Sequence, residues 1–536
     1  MIERGKGMAR ARLRNRLQSR SAVSVAIAVA LIGVVAFASL SWLKPGDFGV
    51  AVGSASPSLL GASHPPTAIS QTASPVVTGS ATSPYPTYGS GWPLSAPCAT
   101  AQDQGICIFA PDGSMYLIAP GVGGQIYAYD PTGHLRPGWP IPAPEGSGYG
   151  ADRGYAAAPD DSLLVWTLNG IMDIEATGRV HPGWPVTLPE GDSKYTHGQI
   201  LVQPSGRILF AQVDYATPDA WIYSLTVDGD APVVWSSHLA GTFDAFPLPA
   251  ASNGTVFVTG TTPPPAGQTT VASTVAALAS DGKLIGTWSK DQGYPVAVTP
   301  DGNLVITSAD TKAATTGNEI KILRSHVAVV DPTGKALPGW PRVVEGPSSG
   351  PAVGPDGSLY FVLGDGTATG SLLALDASGN VEPGWPVSLP AGYSGTTGPR
   401  SAGPYTTVSE PPIVANGLVC VAGVSANGDN QIVVAVEASG SEHQSWVYRP
   451  PAGARLSYPF TPSSTGTLYV PMGVQDSNLN WTGAVAALGT NGEMLPGWPW
   501  VSSVIPLAVT VLADGGLGVS SMDFATRLTP SGSTAR

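Results

Sequence analysis

The sequence predicts an all-β chain: one β-propeller of four-stranded antiparallel blades, preceded by a single transmembrane helix and a disordered linker. Three observations predict this. A tryptophan follows a turn glycine by six residues eight times over, and successive tryptophans of the series lie 45 to 61 residues apart. Short apolar runs separated by tight turns, mostly Asp-Gly, Asn-Gly or Ser-Gly and Asp160-Asp161 in one unit, precede each of them. A 23-residue stretch without charge follows a basic N-terminal tip. A repeat of this length marks a propeller or solenoid.

The tip, residues 1–20, holds Arg4, Lys6, Arg10, Arg12, Arg14, Arg16 and Arg20 against Glu3 alone. The whole chain nevertheless carries a formal charge of -12, so the exported body is strongly acidic. An acidic body repels phosphate backbones, which argues against nucleic acid as a partner. Residues 21–43 (SAVSVAIAVALIGVVAFASLSWL) are long enough to cross a bilayer core of about 30 Å at about 1.5 Å per residue. Positive residues stay on the cytoplasmic side, so the expectation is a single-pass anchor in the cell membrane with an extracytoplasmic C-terminal domain. The alternative is a cleaved signal peptide, with Ala36-Phe37-Ala38 as its site.

Residues 44–89 are dominated by Ser, Thr, Pro, Ala and Gly, and no Lys, Arg, Asp or Glu occurs from Phe48 to Gln102. Such a stretch buries too little apolar surface to fold and reads as an extended stalk. The propeller then occupies residues 90–536. Its unit is plainest at Gly350–Pro386, where four strands A to D are expected. Strand A ends at Val353, the Pro355-Asp356-Gly357 turn leads to strand B at Leu359–Val362, strand C is Leu372–Leu375, and a turn at Ala377-Ser378-Gly379 leads to strand D and Trp385. These turns suit glycine because they demand positive φ.

The glycine–tryptophan pairs are Gly133/Trp139, Gly178/Trp184, Gly229/Trp235, Gly282/Trp288, Gly334/Trp340, Gly379/Trp385, Gly440/Trp446 and Gly492/Trp498. Five read Pro-Gly-Trp-Pro, at 137–140, 182–185, 338–341, 383–386 and 496–499. Proline beside the tryptophan suits an outermost strand, which needs no further N–H. Each indole is expected to wedge into the crease between neighbouring blades as a structural group. Nine A–B turns accompany eight complete units, because Ile505–Gly532 supplies strands A, B and C and then stops. Gly91-Trp92-Pro93-Leu94 is the expected strand D of that last blade, so that the N-terminal strand closes the ring. Literal counting gives nine blades with one split; eight is the alternative.

Cys98 and Cys107 lie close together in the exported part, where a disulfide is one expectation and two buried thiols the other. Cys420 sits in an apolar run and reads as core.

The repeat resembles the quinoprotein-type (PQQ-like) propeller repeat, whose Ala-x-Asp-x-x-x-Gly-x-x-x-Trp motif is echoed at Ala128-Tyr129-Asp130 through Gly133 to Trp139, Val329-Val330-Asp331 through Gly334 to Trp340, and Ala374-Leu375-Asp376 through Gly379 to Trp385. Here the turn is one residue shorter, the arm to tryptophan two longer, and the acid is replaced at Thr226, Ala279 and Gly489. The resemblance covers about residues 90–532 and implies the fold, as a divergent branch. Enzymes of that family carry a vicinal Cys-Cys pair and an Asp base beside calcium-binding Glu and Asn. This chain has no adjacent cysteines. Fold alone does not transfer function.

Other chemistries find little in the residues. Each Pro-Asp-Gly turn offers one acid, whereas calcium takes six or more oxygens. The histidines (64, 134, 181, 197, 238, 326 and 443) show no metal-ligand spacing, and His134 and His181 read as surface residues on corresponding arms. No catalytic residue, cofactor or metal is therefore expected. The B–C loops vary most: minimal at Leu168-Asn169-Gly170, long at Thr261–Val271, Ala309–Glu319, Gly423–Asn430 and Met472–Trp481, with a long D–A loop at Ala391–Ser409. Variation gathered on one face of a rigid scaffold marks a binding surface. Its expected rim is Asp214, Tyr215, Asp310, Asp365, Asp429, Asp476 and Trp481. The reading is a non-catalytic, membrane-anchored module that binds protein or glycan; the alternative is a quinone-dependent dehydrogenase.

Overall fold

The computed structural model describes most of residues 87–529. Outside the described residues lie 1–86 and 530–536, the segments 96–105, 120–123, 145–153, 188–195, 215–218, 263–271, 314–319, 365–369, 395–410, 426–430, 441–444 and 476–479, and a few shorter stretches. The expected tip, membrane helix and most of the linker therefore fall outside them. Among the described residues, no helix is long and apolar enough to cross a membrane.

Nine antiparallel sheets follow one another along the chain, and each is a meander of strands A to D. Blade 1 comprises Ile106–Phe109, Met115–Ile118, Gln125–Tyr129 and Ile141–Pro142. Blade 2 comprises Tyr155–Ala157, Leu163–Thr167, Gly170–Ile174 and Val186–Thr187. In blades 7 and 8 the innermost strand is broken into two pieces that pair with the same neighbour, Tyr393–Ser394 with Ile413–Ala415, and Ala454–Leu456 with Thr461–Pro462. The central strands read as continuous apolar runs because blades press on both faces of them. Every residue of Met115–Ile118 and of Leu163–Thr167 is buried.

Closure follows the sequence expectation. Blade 9 takes Ala508–Val511, Leu517–Ser520 and Phe524–Thr529 from the C-terminal end. Its outer edge comes from the N-terminal segment, where Leu94 and Ser95 pair with Ala525 and Phe524, and Thr87 and Tyr88 with Thr529 and Leu528. The propeller thus reaches back to Thr87, into the segment whose composition reads as linker. The seam is tied further by Ala513 N donating to Pro111 O at 2.9 Å and Arg527 Nη1 donating to Pro131 O at 3.1 Å. Cys107, on strand A of blade 1, is disulfide-bonded, and Cys420 is a free thiol whose burial pushes its pKa up to about 12. Cys98 lies outside the described residues.

The core is a series of creases. The first joins Tyr116, Ala128 and Trp139 of blade 1 to Leu163, Val165 and Ile174 of blade 2. Among the described residues, seven indoles of the repeat (Trp92, Trp139, Trp235, Trp288, Trp340, Trp385 and Trp446) reach across the crease to the C–D turn of the following blade. The indole N–H donates to a carbonyl there in four cases: Trp92 to Pro131 (3.2 Å), Trp139 to Ala176 (2.9 Å), Trp340 to Ala377 (3.1 Å) and Trp446 to Thr490 (2.9 Å). The turn glycine is the other half of the joint. A Cβ placed on Gly282, Gly334 or Gly492 would lie 2.7, 2.7 or 2.5 Å from the ring of Trp235, Trp288 or Trp446. These glycines also hold φ of +81°, +85° and +76°. The six-residue spacing is thus the footprint of a contact between blades: the glycine of one unit receives the tryptophan of the unit before. One ring buries about 150–250 Å², roughly 4–6 kcal/mol at about 25 cal/mol per Å², as an upper bound.

The placement of the tryptophan divides the blades into two kinds. In blades 3, 4 and 7, Trp235, Trp288 and Trp446 lie in strand D itself, as expected. Where the sequence reads Pro-Gly-Trp-Pro, the tryptophan instead precedes the strand, which is a correction to the simple repeat. Pro137 and Gly138 (φ +89°) occupy the centre of a type II turn closed by Trp139 N donating to Arg136 O at 3.2 Å. The Trp139–Pro140 peptide is cis, as are those after Trp92, Trp184, Trp340, Trp385 and Trp498. Strand D resumes only at Ile141, and at Val387 in blade 6. The arm from glycine to tryptophan is six residues in both kinds of blade, so the turn changes where strand D starts and not the spacing of the indole.

Candidate functional site

The A–B and C–D turns lie on one face of the ring, the B–C and D–A loops on the other. The turn face is built alike in most blades. An Asp or Asn side chain caps its own turn: Asp130 Oδ1 accepts from Thr132 N (2.8 Å), Thr132 Oγ1 (2.6 Å) and His134 N (3.0 Å), and Asp331 does the same with Thr333 and Lys335. Partial burial pushes the Asp130 carboxyl up, but those hydrogen bonds hold it below the ordinary carboxylate range. Thr333 and Lys335 lower Asp331 in the same way. The aspartates of the repeat are thus turn caps, consistent with one acid per turn.

The loop face is uneven. Blade 5 carries the longest strands, a hairpin of Leu304–Ala313 and Ile320–Val330. Strands B and C run to seven or eight residues in blades 3, 4, 7 and 8 and to four to six in blades 1, 2, 6 and 9. Several expected loop residues prove to be strand. Asp310 lies within strand B of blade 5, Asp214 ends strand B of blade 3, and Trp481 begins strand C of blade 8, opposite Gln475. In blade 5 the pairing runs on past the apolar run, with Thr307 opposite Val327 and Asp310 opposite Arg324, and its register shifts between Asp310 and Thr311. Tyr215, Asp365, Asp429 and Asp476 lie outside the described residues.

Asp310 does gather a polar group. Arg324 Nε donates to its Oδ2 at 2.5 Å, and His326 Nε2 lies 3.1 Å from its Oδ1. The arginine first and the histidine second hold this carboxyl below its usual range, and all three side chains are more than a third exposed. Glu345 is the register partner of Arg324 on the next strand. Blade 3 builds a second group on the same face. Trp221 stacks on His238 with centroids 4.9 Å apart, and His238 Nε2 lies 3.6 Å from Asp219 Oδ2. Trp481 is half-buried. Sequence reading reaches Asp310 by its loop position; it misses Asp219, Trp221, His238, Arg324 and His326. These belong to strands, and only the extended hairpins place them at the rim.

The turn face of blade 2 departs from the common pattern. Asp160 in its A–B turn, Asp173 on strand C and His181 on the C–D arm bring one ligand atom each to within 4.8 Å of one another. Asp173 is fully buried; its Oδ1 accepts from Ser162 Oγ, and its Oδ2 has no hydrogen-bond partner. Burial pushes its carboxyl up to about 6, with Asp160 adding to the rise against the Ser162 hydrogen bond. Ser162 Oγ also lies 2.7 Å from Asp160 Oδ1. His181 is half-buried, not the free surface residue expected. The aligned repeat holds a signal, since Asp173 occupies the column filled by Ala128, Ala277, Ala374, Ala435 and Ala487.

No family model matches the sequence, and no curated protein matches it. Among solved structures the chain is similar to a eukaryotic initiation factor, at 12% identity over 78% of this chain and 95% of that one, with a TM-score of 0.45. It is similar to the WD40 domain of SCAP from fission yeast, at 7% identity over 79% and 94%, TM-score 0.34. It is also similar to a quinoprotein alcohol dehydrogenase-like protein from Bacteroides thetaiotaomicron, at 10% identity over 79% and 86%, TM-score 0.33. Likenesses this distant carry no argument about fold or function. The chain is a nine-bladed β-propeller on the strength of its own strand pairing.

Proposed function

We propose that the protein is a non-catalytic binding or scaffold module, anchored in the cell membrane by residues 21–43 and presenting its propeller outside the cytoplasm to a protein or glycan. The observation that carries the reading is the uneven loop face. Blade 5 raises the longest described hairpin there, and blades 3 and 5 carry the Trp221–His238–Asp219 and Asp310–Arg324–His326 groups. A half-buried tryptophan stacked on an exposed histidine beside a carboxylate, with a guanidinium two blades away, offers stacking, hydrogen-bond acceptance and positive charge on a rigid support. Exposed ion pairs of this kind add little stability, so they are better understood as recognition groups. The basic tip and apolar segment support the anchor by their order in the sequence.

The test uses the purified full chain, immobilised, against a glycan array and against cell-surface proteins. Retention of a ligand should fall about tenfold or more in Trp221→Ala and Arg324→Ala, the size of a binding hot spot. It should be unchanged in His134→Ala on the opposite face. Equal retention by all three variants would defeat the proposal, as would substrate-dependent dye reduction after reconstitution with pyrroloquinoline quinone and calcium.

A further inference from the structure

Blades 1 and 9 complete the A–B turn with a side-chain cation, and blade 2 does not. In blade 1 the turn carboxylate, Asp112, receives a guanidinium: Arg136 Nη2 lies 3.3 Å from Asp112 Oδ2 and also donates to Ser114 Oγ at 2.5 Å. In blade 9 the turn carboxylate is Asp514, and Arg527 Nη2 donates to its Oδ2. The two arginines arrive from different positions of the repeat. Arg136 stands three residues after the C–D glycine, and Arg527 stands in the strand C column that blade 1 fills with Ala128. Blade 2 has the turn carboxylate Asp160 and the serine, Ser162, but neither arginine. The first position holds His181 and the second holds Asp173.

Blade 2 therefore replaces a side-chain cation by a second carboxylate and an imidazole. Asp173 shares its sheet face with its register partner Leu164, which packs against Ile208 and Phe210 of blade 3. A carboxylate with no solvent exposure and one unpartnered oxygen is costly to leave ionised. Ser162 has a single hydroxyl proton between the Asp160 and Asp173 oxygens, so it cannot donate to both at once. A positive centre is what the other two blades supply here.

We propose that Asp160, Asp173 and His181 bind a divalent cation of the Zn²⁺ class on the turn face of blade 2. The donor set selects the ion. Two carboxylate oxygens and one imidazole nitrogen suit a borderline transition metal, whereas Ca²⁺ takes six to eight oxygens. His181 Nδ1 lies 3.0 Å from Pro182 O. With the proton on that nitrogen, the Nε2 lone pair is free for a metal, the usual outer-shell arrangement. An ion about 2.0–2.2 Å from each ligand atom needs separations no greater than about 4.4 Å, close to those present. The half-buried imidazole and exposed Asp160 can turn to close the remainder, and water completes the coordination. The site lies on the face opposite the recognition groups, so it stands independently of the proposed function.

The experiment is titration of the chelator-stripped full chain with Zn²⁺ alone, read by calorimetry and by metal content after desalting. Wild type should take up about one ion more than Asp173→Ala or His181→Arg, and bind it about tenfold or more tightly than either variant does. Each substitution installs what blade 1 already carries at that position, so both should fold. Their far-ultraviolet circular dichroism and melting curves serve as the check. Equal Zn²⁺ uptake by wild type and both folded variants would overturn the proposal. So would no uptake by wild type, or Ca²⁺ binding as tight as Zn²⁺.

Discussion

The joint between Gly492 and Trp446 can be taken apart quantitatively. Gly492 has φ +76°, and a Cβ there would lie 2.5 Å from two ring atoms of Trp446. Gly492→Ala therefore carries two costs. An L-residue held in the left-handed region costs about 1–2 kcal/mol, and forcing a methyl against a packed indole costs about 1–3 kcal/mol more. Gly515 is the internal control, at φ +80° with nothing within 4 Å of where a Cβ would stand. Gly515→Ala should lose only the first amount. Trp446→Ala alone should lose about 3–5 kcal/mol, since the ring is buried. In the double variant the methyl finds the space the indole left. The combined loss should fall short of the sum of the two by about 1–3 kcal/mol, the steric part. Chemical denaturation of the purified full chain, followed by intrinsic fluorescence and far-ultraviolet circular dichroism, measures all four. Equal losses at Gly492 and Gly515, or strict additivity with Trp446→Ala, would refute the claim that the glycine is shaped by its neighbour's tryptophan.

Three further outcomes follow from the same structure. Leu94 is buried beside Trp92, Met115 and Ala525 at the seam, so Leu94→Ala should cost about 2–5 kcal/mol; hydrogen exchange should rise first in residues 517–529, and uniform loss around the ring would count against N-terminal closure. Digestion without reductant should yield a peptide joining Cys107 to Cys98, and Cys107→Ser should cost about 2–3 kcal/mol for a loop this short; a Cys107 peptide free of Cys98 would reject the pairing. Because Thr333 and Lys335 lower the Asp331 carboxyl in the folded state, its contribution is present above the unfolded carboxylate range near about 4 and is lost as pH falls through the folded value. The melting temperature should therefore drop in acid, and Asp331→Asn should flatten that drop; an identical acid profile in the variant would show that the cap contributes nothing.

How much is legible in the sequence depends on whether a feature repeats. The indole belt, the turn glycines and the seam at Trp92 are readable because the same physical need recurs in each unit, and register exposes it. The Pro-Gly-Trp-Pro turn is half readable: its residues declare an edge, but the displacement of strand D past the tryptophan depends on the turn, which spacing alone does not reveal. The loop face is the least legible. Asp310 reads as loop because it stands past the apolar run, while in blade 5 the strand pairing continues through it and onward across a register shift. Trp221, His238 and Arg324 carry no spacing signal at all, because they meet across strands.

Blade 2 shows the reverse use of a repeat. Agreement among copies reports what the scaffold requires, and at the strand C column it favours an uncharged side chain: Ala in blades 1, 4, 6, 7 and 8, Ser224 in blade 3 and Val329 in blade 5. A copy that places an ionisable group in the column must gain something that offsets the cost of burying it. Blade 9 breaks it with Arg527, and the guanidinium meets Asp514 and the Pro131 carbonyl across the seam, so the gain is visible. Blade 2 breaks it with Asp173, and the carboxyl is buried with one oxygen unpartnered, so the gain is not supplied by the chain. The same departure from the same column is thus compensated in one blade and uncompensated in the other. A cation from solution would restore the equivalence.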